Sequence, residues 1–230
     1  MVLLAVTPIS LAAAPVDIER ILKDRNMCPH ASYLEDRNGL LTIGEVWGEE
    51  QARLWKQTDK KTLGFGFTPS VYWVRFDIRN KGPRGVDILI QQEYPLIDEL
   101  EMWVYSDSRP VTQYRTGDLL PFDSRPYRNR TFVFPVKVKA GAETLIYLRY
   151  KSQSSMNIVL SAWRPAHFSE ISREEELILM IYYGIMLAMV IYNLFVLLFL
   201  RQKEYLYYTI FILGFLIFTM TQNGTAFQFL

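Results

Sequence analysis

Tryptophan beside arginine on one strand is the first chemistry that the sequence offers. In Val71–Arg79 (VYWVRFDIR), alternation puts Trp73, Arg75 and Asp77 on one face and Tyr72, Val74 and Phe76 on the other. An indole is a stacking surface and a guanidinium a planar fork of donors, so Trp73 with Arg75 suits a sugar or a carboxylate. The same pattern also suits a solvated face carrying one large apolar residue. A second candidate is the segment Thr116–Arg130 (TGDLLPFDSRPYRNR), with Arg125, Arg128 and Arg130 and two aspartates. Long loops on rigid frames often carry binding, although surface ion pairs would use the same charges. Here Asp118 supplies an acceptor and Arg125 a second fork. The expected ligand-binding set is therefore Trp73, Arg75, Asp118 and Arg125. A competing arrangement has Arg75 and Asp118 as an ion pair that pins the loop to the sheet.

Catalytic signals are weak. Glu99 and Glu101 share a strand face and form a carboxylate pair of the glycosidase kind, but such pairs are common on sheet faces. His30 and His167 stand outside any metal or nucleophile pattern, and no glycine-rich phosphate loop follows a strand. Cys28 is the single cysteine, so neither an internal disulfide nor a zinc spacing is available. Asn129-Arg130-Thr131 matches a glycosylation acceptor, a short motif that also arises by chance. The chain reads as no enzyme, with no cofactor and no metal. Its formal charge of +1 gives no pull towards nucleic acid.

Those candidates need elements to position them. Val71–Arg79, Val86–Gln92, Glu99–Ser106, Arg130–Val138, Thr144–Tyr150 and Asn157–Trp163 are short, β-branched and aromatic, with turn signals between them. No helical pattern intervenes, which predicts an antiparallel β-sandwich over residues 25–165. Pro135 marks an edge strand or a bulge. Upstream, Thr42-Ile43-Gly44-Glu45 fits a capping box and predicts a helix from Ile43 to about Leu54.

Behind the sandwich the sequence predicts a membrane anchor. Leu177–Leu200 holds twenty-four residues without a charge, roughly 36 Å as a helix and enough to cross about 30 Å of hydrocarbon. A second uncharged run begins at Tyr205, so residues 177–200 and 205–225 read as a transmembrane hairpin around a loop at 201–204, with 166–176 as linker. Gly184 and Ala188 present a small-xxx-small face for helix packing, and Asn193 within the first span needs an interhelical partner. Arg201 and Lys203 place the hairpin loop in the cytoplasm, and Glu174-Glu175-Glu176 precedes the first span outside. Met1–Ala14 has the length and small-residue ending of a signal-peptide core, with cleavage after Ala12 or Ala13 favoured because Pro15 follows Ala14.

Tyr183-Gly184, Tyr192-Asn193-Leu194, Arg201, Tyr205-Leu206-Tyr207-Tyr208 and Asn223-Gly224 resemble the first two helices of the bacterial seven-transmembrane receptors with diverse intracellular signalling modules. Tyr33-Leu34-Glu35-Asp36 with Leu41-Thr42-Ile43, Tyr72-Trp73-Val74-Arg75-Phe76, Tyr94-Pro95, and Thr116-Gly117-Asp118 with Pro121-Phe122 and Arg125 are similar to the periplasmic sensor domain of their second type. The resemblance covers about residues 28–230. It implies a jelly-roll sensor like carbohydrate-binding modules, a seven-helix bundle in the inner membrane, and a cytoplasmic output such as a diguanylate cyclase or histidine kinase. It admits a homodimer. With two spans and no output domain here, it makes the chain a fragment of a longer receptor or a truncated relic. The expected function is to bind an extracytoplasmic ligand, small molecule or carbohydrate, and relay it through the helices. The alternative is a binding module anchored by a hairpin, without signalling output.

Overall fold

A computed structural model describes residues 15–229. The signal-peptide-like segment Met1–Ala14 lies outside the described residues. The chain divides into two compact units at Arg164/Pro165.

The first unit is a β-sandwich. Its strands are β1 (Val16–Asp17), β2 (Ser32–Asp36), β3 (Lys56–Gln57), β4 (Leu63–Phe67), β5 (Val71–Arg79), β6 (Val86–Gln92), β7 (Glu99–Ser106), β8 (Arg109–Thr116), β9 (Phe132–Val138), β10 (Glu143–Lys151), β11 (Ser155–Ile158) and β12 (Leu160–Trp163). The large sheet runs β3-β2-β5-β10-β7-β8, antiparallel throughout, with β1 joining the end of β5 in parallel. The facing sheet runs β12-β6-β9, and β11 pairs with β4. Between the sheets Tyr72, Val74, Phe76, Met102, Ile146 and Leu148 meet Ile88, Ile90, Phe132 and Phe134 in one buried cluster. These are the even-numbered faces that alternation predicted for β5, and burying each large side chain is worth about 1.5–3 kcal/mol. Pro135 lies on β9, an edge strand in unbroken register with β6, so the missing amide costs no ladder bond.

Several expectations change. Asn157–Trp163 is two strands, because at Val159 the chain leaves β4 and joins β6. The buried Gln92 side chain bridges that switch: its amide donates to the Asn157 carbonyl at 2.9 Å, and its oxygen accepts from the Val159 amide at 3.3 Å. Strand β8 was not anticipated, since its polar residues (RPVTQYRT) face water on an edge. It enters through Asp107 and Ser108, whose φ values of 49° and 62° make a primed hairpin turn without asparagine or glycine. The helix expected over 43–54 breaks into a 3-10 turn at Glu45–Trp47 and the single turn α2 (Glu49–Ala52). Gly44 and Gly48 supply the weak points. Half of the capping box forms: the Glu45 carboxylate takes the Thr42 amide at 2.7 Å. The Thr42 hydroxyl, however, donates to the same carboxylate at 2.8 Å instead of accepting an amide. A short helix α1 (Ile18–Asp24) is capped by Asp17, whose carboxylate accepts from the Glu19 amide.

The second unit is a helical hairpin, α3 (Pro165–Leu200) and α4 (Lys203–Gln222), with the short α5 (Thr225–Phe229). Residues 166–176, expected as linker, are helical and continuous with the first span. Both long helices are long and apolar enough to cross a membrane. Their exposure falls only along one seam of each: Tyr183, Met186, Val190 and Asn193 on α3, and Tyr205, Thr209, Ile212 and Leu216 on α4. Steps of three and four are those of left-handed antiparallel packing.

Candidate functional site

The odd-numbered face of β5 is covered, not solvated. Register places Tyr147 of β10 opposite Arg75 and Trp103 of β7 opposite Tyr147, so Trp73, Arg75, Tyr147 and Trp103 crowd one patch of the large sheet's outer face. The segment 41–57 crosses it as a strap. Asp36 holds the strap's beginning by accepting from the Gly39 and Leu41 amides, each at 2.9 Å, and β3 pairs its end to β2. Leu41, Ile43, Val46, Trp47 and Trp55 point down onto the sheet and bury a second apolar cluster.

That cluster is an aromatic box. Trp73 stacks on Trp103 with centroids 5.3 Å apart, Trp47 meets Tyr105 at 4.5 Å edge-on, and Tyr147 contacts both Trp47 and Trp55 within 6 Å. The Arg75 guanidinium lies 4.8 Å over the Trp55 ring. Burial pushes the Tyr147 phenol up to about 12, with the Arg75 charge pulling the other way. Asp77, beside Arg75 on the strand, is pushed up to about 6 by burial despite that arginine. Trp73 is 1% exposed, and the indole N–H groups of Trp73 and Trp47 are buried without an acceptor. A buried donor left unpaired ordinarily costs about 1–3 kcal/mol.

Asp118 and Arg125 lie elsewhere. Gly117 presses against the chain entering β7: a Cβ there would come within 1.9 Å of the Asp98 carbonyl oxygen. The Asp118 amide donates to Ile97 at 2.9 Å. One Asp118 carboxylate oxygen is buried without a hydrogen bond. Burial first and then neighbouring Asp98 raise its pKa, while Arg125 opposes them. Arg125 is 5% exposed and lies over Phe132 at 4.4 Å and Phe122 at 5.0 Å. It donates to the carbonyls of Asn129 (2.7 Å) and Thr131 (3.3 Å), closing the loop on itself, and burial lowers its pKa to about 10.

The four residues expected as one ligand set therefore fall into two places. Trp73 is buried beneath the strap, with Arg75 at its side. Asp118 and Arg125 form a separate corner, and among the described residues no ion pair joins Arg75 to Asp118. Glu99 and Glu101 are both engaged by cations, Lys151 at 2.7 Å and Arg149 at 3.8–4.0 Å, with Arg115 at 3.4 Å from Glu101. Asn129 of the glycosylation motif is buried, its side-chain oxygen accepting from Thr131. Cys28 is buried and pushed up to about 11 by that burial, an inert thiol packed against β11 and β12. In the hairpin, Gly184 and Ala188 are off the α3 seam and exposed, and a Cβ at Gly184 meets nothing within 4 Å. Asn193 is on the seam but donates to the Met189 carbonyl of its own helix at 2.8 Å, not across it. The hairpin's polar contact is instead Tyr183, whose hydroxyl lies 3.3 Å from both Thr225 and Asn223.

Trp47, Trp55, Trp103, Tyr105 and Tyr147 escaped the sequence reading. Trp103 and Tyr105 were visible as alternate residues of β7, but their meeting with Trp73 depends on the β5-β10-β7 order, which no local pattern states.

Comparison with known proteins bears on both units. Residues 28–164 match the family described as 7TMR-DISM extracellular 2, and residues 175–230 match the one described as 7TM diverse intracellular signalling. No curated protein matches the chain. Among solved structures, a beta-glucosidase from Kluyveromyces marxianus in complex with glucose is 8% identical over 57% of this chain and 16% of its own, with a TM-score of 0.36. An alpha-xylosidase from Xanthomonas citri is 12% identical over 59% of this chain and 13% of its own, with a TM-score of 0.28. The chain thus spans under a fifth of either enzyme, and likenesses this distant carry no argument. With its sandwich and its helical hairpin matched in tandem, the chain belongs to the 7TMR-DISM family of receptors, as an extracellular domain of the second type followed by membrane helices.

Proposed function

We propose that this chain senses an extracytoplasmic ligand for a bacterial signalling receptor, with the sandwich in the periplasm and α3 and α4 in the inner membrane. The partner this reading requires is a cytoplasmic output domain, such as a diguanylate cyclase or a histidine kinase. The observation that supports it most is continuity. The matched extracellular segment ends at 164, β12 ends at Trp163, and α3 begins at Pro165. A single residue, Arg164, lies between strand and helix. One nitrogen of its guanidinium donates to both oxygens of Glu19 at 2.8 Å, a charge-assisted contact on the last residue before the helix. On this reading a ligand that resets the sandwich is felt at the start of α3. The reading assigns no reaction to this chain, in keeping with the cation-held Glu99 and Glu101.

A spin label at Gln202, at the hairpin turn, tests transmission in the full chain reconstituted in lipid nanodiscs. Oligosaccharides and small carboxylates are titrated while binding is followed by tryptophan emission. Binding that changes the label's mobility supports a receptor. Saturable binding that leaves the label unchanged would make the chain an anchored binding module.

A further inference from the structure

We propose that the strap-covered aromatic box is the ligand site, and that it takes a ring-bearing carboxylate. The inference rests on the sensor reading above and gives it a place and a chemistry. Four groups lead to it. Trp73 and Trp47 bury indole N–H groups that meet no acceptor, although a packed core normally pairs or avoids such donors. Arg75 stacks on Trp55 at 4.8 Å, and among the described residues no carboxylate lies within 4.0 Å of its guanidinium. Tyr147 offers a phenol beside that guanidinium. The walls are flat π faces, with Trp103 against Trp73 and Tyr105 against Trp47.

Such a set has a defined complement. A six-membered ring presents apolar faces to Trp and Tyr, its oxygens accept from the indoles, and its carboxylate fits the planar Arg fork bidentately. The cover has little regular backbone, one 3-10 turn and one helical turn separated by Gly48. The strap is anchored at its two ends by Asp36 and by the two-residue strand β3. Lifting its centre opens the box without breaking the large sheet, because strands β2 and β5 pair beneath it. The ligand enters beneath the lifted strap and gives the orphaned donors their acceptors, so the free protein is strapped shut and the bound one is not.

The same chemistry exists in sugar acids and in hydroxylated aromatic acids, and one titration separates them. Four of the five tryptophans line the box, so intrinsic emission reports on it directly. The full chain in nanodiscs is titrated with galacturonate and glucuronate, with 4-hydroxybenzoate and 4-hydroxyphenylacetate, and with galactose as the uncharged control. A saturable emission change with one class of acid and not with galactose is expected. Arg75→Gln should weaken it at least tenfold, Arg75→Lys should restore part of it, and Trp47→Phe should weaken it severalfold at unchanged Tm. Asp118→Asn should leave it as it is. If neither class of acid binds, or if an acid binds Arg75→Gln as tightly as the parent, the box is not the site. Should Arg75→Gln fail to fold, Trp47→Phe decides in the same way. A Gln202 label that still responds to ligand in Arg75→Gln would overturn the box and leave the receptor standing. Box binding that never reaches the label would overturn the receptor and leave the box.

Discussion

Two residues of the sandwich are set by what surrounds them so tightly that their substitutions have signed outcomes. Gly117 is required by close approach: a methyl group would overlap the Asp98 carbonyl at 1.9 Å, and backbone cannot step aside as a side chain can. Gly117→Ala should destabilise the sandwich by more than about 2 kcal/mol in urea unfolding. Gly66→Ala, where nothing lies within 4 Å, meets only the strain of its φ of +66° and should cost about 1 kcal/mol. Asp77 is set by burial. Its carboxyl titrates near 6 when folded and near 3.8 when not, so the folded state holds the extra proton between those values. Stability contributed by that proton is fully present below pH 4 and is lost as pH rises to about 6, since unfolding then releases it. Asp77→Asn should abolish this fall and be the more stable protein at pH 7, by about 1–3 kcal/mol. All five tryptophans lie between Trp47 and Trp163, so emission-detected melting of the full chain reads the sandwich alone. Parent and variant with parallel pH profiles would show that Asp77 is hydrated.

At the scale of elements, β9 shows what alternation settles. Phe132 and Phe134 point inward against β6 and are fully buried, and Phe134→Ala should cost on the order of 3–5 kcal/mol. Val111→Ala on the exposed edge strand β8 should be near neutral. An unchanged melt for Phe134→Ala would mean that β9 carries its other face inward. The central strands β5, β6 and β7 have the bounds that their period of two announced, because each must hide one face. Less was legible where a second surface decides. The odd face of β5 looks like polar surface with one tryptophan, and Trp73 is buried only because a strap that ends sixteen residues upstream folds over it. Nothing local says that Trp47 and Trp55 return to β5. The capping box misled for a related reason: its side chains do pair, but Gly44 and Gly48 deny the turn a helix to cap. The membrane hairpin was the easiest to read, since its apolar length is itself the signal. Its seam was not, because Asn193 satisfies itself and leaves the polar contact to Tyr183.

For the whole molecule the first question is sidedness. Residues before Glu176 should lie outside and Gln202 inside, as the basic loop residues Arg201 and Lys203 require. Alkaline phosphatase fused after Ser169 should be active, and fused at Gln202 inactive; the opposite pair of results would invert the receptor. The grip of Glu19 on Arg164 is exposed and adds little stability. Glu19→Ala should therefore keep the parent unfolding free energy within about 0.5 kcal/mol while reducing the response of the Gln202 label to ligand. Helix α3 spans thirty-six residues, about 54 Å, so several polar turns precede the bilayer-length apolar run. A rod of that kind has a phase. Each residue inserted after Ser169 rotates everything beyond it by about 100°, so one added alanine turns the seam of Tyr183 and Asn193 by that angle relative to the start of α3, and seven bring it back to within about 20°. Signalling that vanishes with one insertion and returns with seven would make α3 a shaft whose message is an angle, and signalling indifferent to both would make it a tether.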